Sequence, residues 1–145
     1  MKKMINPLNK FITVLVYCTY PLVLALLIFT HDVRFWRVLL TPAISFVLVS
    51  LVRQYIDAPR PYEVSDFVPI INKKTKGKSF PSRHVFSVFV IATTLYYIFK
   101  PLGIILMLAG VLLAILRVIG GVHFPKDVVV GAIIGILSGV LGFYL

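Results

Sequence analysis

The stretch 85-VFSVFVIATTLYYIFKPLGIILMLAGVLLAIL-116 decides the fold. It holds two uncharged runs, 85–99 with 15 residues and 101–116 with 16, separated only by Lys100. A junction this brief, with proline just inside the second run, predicts an antiparallel helical hairpin. Crossing a ~30 Å hydrocarbon core takes roughly 17–25 mostly apolar residues. Both runs must therefore borrow polar neighbours, His84 and the residues before it in one case, Arg117 and the residues after it in the other. That requirement puts these polar groups near headgroup depth.

Working outward, residues 11–30, 35–52 and 128–145 form three further apolar segments, giving five in all. The first is 20 uncharged residues behind Lys2, Lys3 and Lys10, longer than a signal core and with no small-residue cleavage site after it, so it predicts an uncleaved spanning helix. Composition agrees: 59% of the 145 residues are hydrophobic and 14% charged, with a mean hydropathy of +0.98, against ~45–50% and ~25% in a typical soluble domain. The expected architecture is all-α, an integral membrane bundle of about five transmembrane helices with its active site at one membrane face. A single membrane-embedded domain over 1–145 follows, because no stretch could form a separate soluble module. Cys18 is the sole cysteine and lies in the first apolar run, so it forms no intramolecular disulfide.

With the hairpin fixed, parity assigns the ends. The C-terminal ends of the second and fourth segments and the N-terminal ends of the third and fifth emerge on one face. The polar residues of that face form three clusters: Arg53 with Arg60–Pro61, then Pro81–Ser82–Arg83–His84, then Arg117 with His123 and Asp127. A central Arg costs about 2.5–3.5 kcal/mol on membrane-insertion scales, so four spread through lipid are disfavoured and a shared interfacial cavity is expected. Close guanidiniums repel by up to ~4 kcal/mol per pair at an effective dielectric near 20. Only Asp127 offsets them within the clusters, so the natural counter-charge is an external anion. Phosphate fits guanidinium forks bidentately. Pro81 suits a first helical position, and the helix start with the Ser82 hydroxyl adds an anion site.

His123 and Asp127 stand four residues apart, so the carboxylate can accept a proton from one ring nitrogen across a helical turn and leave the other as a nucleophile. His84 can protonate the leaving oxygen and then activate water. A zinc site is disfavoured, because four arginines surround the two histidines and one aspartate. His31, beside Asp32 in a short loop, reads as structural. Lys73, Lys74, Lys76 and Lys78 read as a solvated loop near anionic lipid. Gly131, Gly135 and Gly139, at strict spacing of four, with Gly142 beyond, read as a helix-packing face within or between chains.

The three clusters resemble the motifs of the type-2 phosphatidic acid phosphatases, or lipid phosphate phosphatases, which share their active-site pattern with vanadium-dependent haloperoxidases. Arg53 through Arg60–Pro61 resembles the first motif, Pro81–Ser82–Arg83–His84 the second, and Leu116–Arg117 with His123 and Asp127 the third. Together they span residues 53–127. Three positions depart from the pattern: Arg53 stands for the usual Lys, Arg83 for Gly and Leu116 for Ser. The resemblance implies metal-independent hydrolysis, without a cofactor, of a lipid phosphate or polyprenyl diphosphate through a phosphohistidine. Undecaprenyl diphosphate, phosphatidylglycerophosphate and phosphatidic acid are the substrates considered. His123 would be the nucleophile, Asp127 its orienting partner and His84 the acid, with Arg53, Arg60, Ser82, Arg83 and Arg117 on the phosphoryl oxygens. The alternative is an anionic-lipid binding or transport protein that does not hydrolyse.

The net charge of +10 suggests either nucleic acid or membrane surface as partner, and its placement favours the membrane. Apart from the four site arginines, eight lysines (2, 3, 10, 73, 74, 76, 78 and 126) lie on the motif face, against Arg34, Arg37 and Lys100 opposite. By the positive-inside rule the site faces the cytoplasm of a multi-pass cell-membrane protein.

Overall fold

The computed structural model describes residues 2–71 and 73–145 and is all-helical. Its elements are α1 (Lys2–Phe29), α2 (Phe35–Ile56), the single turn α3 (Pro61–Val64), α4 (Arg83–Tyr96), α5 (Lys100–Ile119) and α6 (Pro125–Tyr144). The five predicted segments are the five long helices. Four stretches are long and apolar enough to cross a membrane, α1, 35–64 beginning with α2, α5 and α6. The fifth, α4, has 14 residues and a length of about 21 Å.

That short helix is the centre of the bundle. Every residue from 85 to 95 is buried, and α1, α2, α5 and α6 all pack against it. A helix apolar all round belongs inside, and two of its polar side chains bond locally: Ser87 Oγ donates to the Arg83 carbonyl at 2.8 Å and Thr94 Oγ1 to that of Val90 at 2.6 Å. The outer helices instead turn large apolar side chains outward, among them Leu22, Leu26, Leu48, Leu108 and Leu137. An apolar surface of that extent suits lipid rather than water.

The hairpin forms as expected. Its turn spans residues 97–99, where Phe99 is extended and Pro101 lies in the first turn of α5, a position that tolerates a missing N–H. From that shared end α5 runs 20 residues, about 30 Å, and α4 only about 21 Å. The N-terminus of α4 therefore stops short of the far end of α5, and the gap recesses the motif residues.

The glycine face of α6 resolves as internal packing. A Cβ added at Gly131 would lie 2.7 Å from the Ser82 carbonyl oxygen, and one at Gly135 the same distance from that of Phe86. Glycine lets the two backbones approach this closely, so α6 fixes the axial position of α4. At the same end of the bundle, Asp57 adopts a left-handed conformation (φ 47°) and donates its N–H to the Arg53 carbonyl, which with Pro59 ends α2 one turn past Arg53.

Two expectations change. The first helix begins at Lys2 rather than residue 11, because hydropathy marks the lipid-spanning part of a helix whereas Asn, Lys and an early proline permit helix outside lipid. Buried Ile5 anchors the extension, and Asn6 Nδ2 donates to the Ile70 carbonyl at 2.7 Å. Pro81 is not the first helical residue: Ser82 is the N-cap, and α4 starts at Arg83, since a serine hydroxyl can accept a first-turn N–H and proline has no such group.

Candidate active site

The three clusters meet at one end of the bundle, joined through the loop 65–82. Arg60, 1% exposed, clamps that loop: Nε donates to the Gly77 carbonyl at 2.9 Å, Nη2 to that of Lys78 at 3.3 Å, and Nη1 reaches the Val122 carbonyl at 3.1 Å. Arg53 Nη2 also donates to the Lys78 carbonyl. Further ties run from Ser79 N to the Ala58 carbonyl at 3.0 Å and from Ile71 N to that of Gly120 at 3.2 Å. The first and third clusters are thus held together through one loop backbone.

His123 and Asp127 are both buried, with Nδ1 3.4 Å from Oδ2. Their contact is not made across a turn of one helix, as the spacing suggested. His123 precedes the N-cap residue Phe124, and Pro125 begins α6. Asp127, third in that helix, folds back so that Oδ2 accepts the Phe124 N–H at 2.8 Å, the usual way a carboxylate satisfies a free N-terminal donor. Ser79 Oγ donates to the same oxygen at 2.5 Å and lies 3.3 Å from His123 Nδ1. With Nδ1 as donor toward Asp127, Nε2 is the unprotonated nitrogen. Burial pushes the His123 imidazole down to about 4, with Arg117 and Arg60 adding to the effect and the Asp127 hydrogen bond opposing it.

Ser82 ties the second cluster to the third, its N–H donating to the Asp127 carbonyl at 2.9 Å while its Oγ accepts the Val85 N–H at 3.4 Å. The N–H groups of Arg83 and His84 remain at the helix start without intrahelical partners. Half-buried His84 lies within electrostatic range of Arg117, Lys73, His123 and Arg83. Arg117 is 3% exposed, yet its Nε and Nη2 have no hydrogen-bond partner, and neither does Arg53 Nε. Unmet charged donors in a buried site are costly, and an anion would satisfy them.

Arg83 departs from the group. It is exposed on the rim, with its guanidinium 5.2 Å from the Phe46 ring centroid and Nη1 3.4 Å from Ser50 Oγ. Lys73 moves the other way. Read from sequence as one of four solvated lysines, it lines a cavity of about 270 Å³ with Arg53, Arg60, Lys78 and Arg83. Burial first, then the neighbouring arginines, lowers its ammonium to about 8. Nothing in the spacing of Lys73, Lys74, Lys76 and Lys78 singles it out. Ser79 was missed for a similar reason, since only the return of the loop over α6 brings it to Asp127. Among the described residues none of these cations forms an ion pair with a carboxylate.

The fold and the site define a class: a multi-pass helical membrane protein with an unpaired cationic cavity beside a His–Asp pair. The sequence model of the PAP2 superfamily matches residues 34–145, and the chain belongs to that superfamily. Over 147 aligned residues it is 27% identical to the bacitracin transport permease protein BcrC of Bacillus licheniformis, covering 97% of this chain and 71% of that one. The crystal structure of Aquifex aeolicus LpxE superposes with a TM-score of 0.77 at 30% identity, covering 99% of this chain and 93% of that one. A transmembrane PAP2-type phosphatidylglycerolphosphate phosphatase from Bacillus subtilis shares the fold, with a TM-score of 0.77 at 24% identity and coverage of 96% and 75%.

Proposed function

We propose that this protein is a membrane lipid phosphatase that transfers the terminal phosphoryl group of a lipid phosphate or diphosphate to His123 and then to water. The observation that carries the reading is a buried His–Asp pair within electrostatic range of unmet donors on Arg117 and Arg53, which a phosphoryl group would satisfy. Membership of the PAP2 superfamily and the likeness to a phosphatase support hydrolysis of a lipid substrate in the membrane.

In the first step His123 Nε2 attacks phosphorus while Asp127 and Ser79 hold the ring through Nδ1. A P–N bond forms, the bond from phosphorus to the leaving oxygen breaks, and His84 protonates that oxygen. In the second step His84 takes a proton from water, the resulting hydroxide attacks phosphorus, the P–N bond breaks and inorganic phosphate leaves. Arg53, Arg60, Ser82 and Arg117 hold the phosphoryl oxygens through both steps, Arg60 through the loop it clamps, and Arg83 adds a cation at the rim. Guanidiniums preorganised around the developing charge supply the stabilisation that a metal supplies elsewhere, so the reaction in this reading is metal-independent. The whole chain, 1–145, acts as one membrane-embedded domain in the cell membrane. Six lysines outside the cavity still share the site's face against three cations opposite, which favours a cytoplasmic site.

The deciding experiment incubates purified protein with ³²P-labelled lipid phosphate and quenches it at alkaline pH. Acid-labile label on wild type and none on His123→Ala is expected; phosphate release that survives the substitution refutes the mechanism. The name of the Bacillus licheniformis relative, a bacitracin transport permease protein, favours a second reading, anionic-lipid binding or transport without hydrolysis. That reading predicts retained lipid binding with no phosphoenzyme and no released phosphate.

A further inference from the structure

The six cations gathered around this site, Arg53, Arg60, Lys73, Lys78, Arg83 and Arg117, exceed what one phosphate needs, since a phosphomonoester carries about −1.5 to −2 charges. They differ in exposure: Arg53, Arg60 and Arg117 are buried, as is His123, whereas Arg83 and Lys78 are exposed and Lys73 is half-buried; all six except Arg117 line the cavity, together with Ser50.

Beside this polar cavity runs an apolar groove of about 410 Å³ between α1, α2 and α4, lined by Tyr17, Tyr20, Pro42, Phe46 and Ile91 among others. Arg83 is the joint between the two. Its guanidinium lies over Phe46, which lines the groove, and bonds Ser50, which lines the cavity. Phe46, Ser50 and Arg53 follow one another at helical spacing on a single face of α2, so groove, rim and site are consecutive along one line. A lipid laid along that line places its tail in the groove, its reacting phosphate at His123 and whatever lies between them at Arg83.

We propose that Arg83, assisted by Lys73 and Lys78, binds a second phosphate that lies between the reacting phosphate and the lipid tail, and so makes this enzyme selective for two-phosphate headgroups. The proposal rests on the phosphatase reading and adds the substrate class. Two chemistries satisfy it: a lipid diphosphate, in which the phosphates are joined directly, and a terminal phosphomonoester separated from a phosphodiester by glycerol. A one-phosphate lipid leaves the rim cations unmatched. The guanidinium geometry suits this role, because a planar fork stacked on a ring is pre-organised for bidentate phosphate binding in a way an ammonium is not.

The test measures kcat/KM of the purified full-length protein in detergent for polyprenyl diphosphate, phosphatidylglycerophosphate and phosphatidic acid, in wild type, Arg83→Gly, Arg83→Gln and Arg83→Lys. Wild type is expected to favour at least one two-phosphate substrate over phosphatidic acid by tenfold or more. That ratio should drop about tenfold in both Arg83→Gly and Arg83→Gln and be partly kept in Arg83→Lys; which two-phosphate lipid wins identifies the source. Should Arg83→Gly fail to fold, Arg83→Gln carries the same expectation. An unchanged ratio, or an equal loss on all three substrates, overturns the selectivity role and leaves the phosphatase reading standing. No phosphate release from any substrate by wild type overturns both.

Discussion

At the residue scale the site depends on how buried charges are satisfied. Asp127 Oδ2 receives Ser79 Oγ, the Phe124 N–H and His123 Nδ1, so the carboxylate is oriented before any substrate arrives. Ser79→Ala removes one of these donors and loosens the pair without removing the His123 imidazole. We expect turnover to fall about 10- to 100-fold, a fraction of the 10²–10⁴-fold that positioned acid–base groups contribute, with the phosphoenzyme still trappable. A fall as deep as that of His123→Ala would instead give Ser79 a direct part in the chemistry. The imidazole also sets a pH dependence. It titrates near 6.5 in an unfolded chain and near 4 here, so the unfolded state binds the proton more readily. Stability contributed by His123 is therefore present above about pH 6.5 and is lost as pH falls toward 4. An ¹⁵N imidazole titration, assigned by comparison with His123→Ala, should show a midpoint near 4, and a midpoint at 6.5 or above contradicts the burial argument.

Arg117 gives a test that needs no catalysis. Its unmet Nε and Nη2 predict that inorganic phosphate binds and raises the melting temperature, by an amount equivalent to about 2.7 kcal/mol at a hundredfold excess over Kd. Arg117→Ala should lose most of that shift; a full shift in the variant would place the anion elsewhere.

At the element scale the decisive contact is α4 against α6. Gly131 and Gly135 allow the backbones to touch, and the touching point at Ser82 carries its N–H to the Asp127 carbonyl. Gly131→Ala puts a methyl 2.7 Å from the Ser82 carbonyl oxygen, which forces the start of α4 outward. Turnover should fall at least tenfold even where the protein still purifies folded, measured as phosphate release beside a detergent melting curve. Normal turnover would mean that the helices adjust without moving the site. The packing role of these glycines was legible from their spacing of four; that the partner is α4 was not, because spacing names a face and not its neighbour. The helix termini were partly legible in the same way. The start of α4 lies at Arg83, behind the N-cap Ser82, rather than at Pro81, because capping depends on which side chain reaches a free N–H, a local geometry that residue identity alone leaves open.

At the scale of the whole molecule, charge asymmetry argues for sidedness. A cysteine introduced at Lys76 in a Cys18→Ala background should react with a membrane-impermeant maleimide only from the cytoplasmic side, and one at Arg37 only from the opposite side. Labelling in the reverse pattern would put the site on the outer face and limit its substrates to lipids of that leaflet.

Sequence by itself determined the class of the molecule and the parity of its helix ends, because hydropathy, proline positions and the one-residue junction at Lys100 act locally and need no knowledge of neighbours. It also placed Arg53, Arg60, Arg117, His123 and Asp127 at one end. Tertiary structure alone decided that Lys73 and Ser79 join them while Arg83 stays at the rim. Those assignments depend on where the loop 65–82 returns, and that return is fixed by contacts between residues far apart in the chain, such as Arg60 with Val122 and Ser79 with Asp127. A lysine in a solvated run and a lysine in an arginine-lined cavity have the same local chemistry, and only the surrounding burial and charge tell them apart.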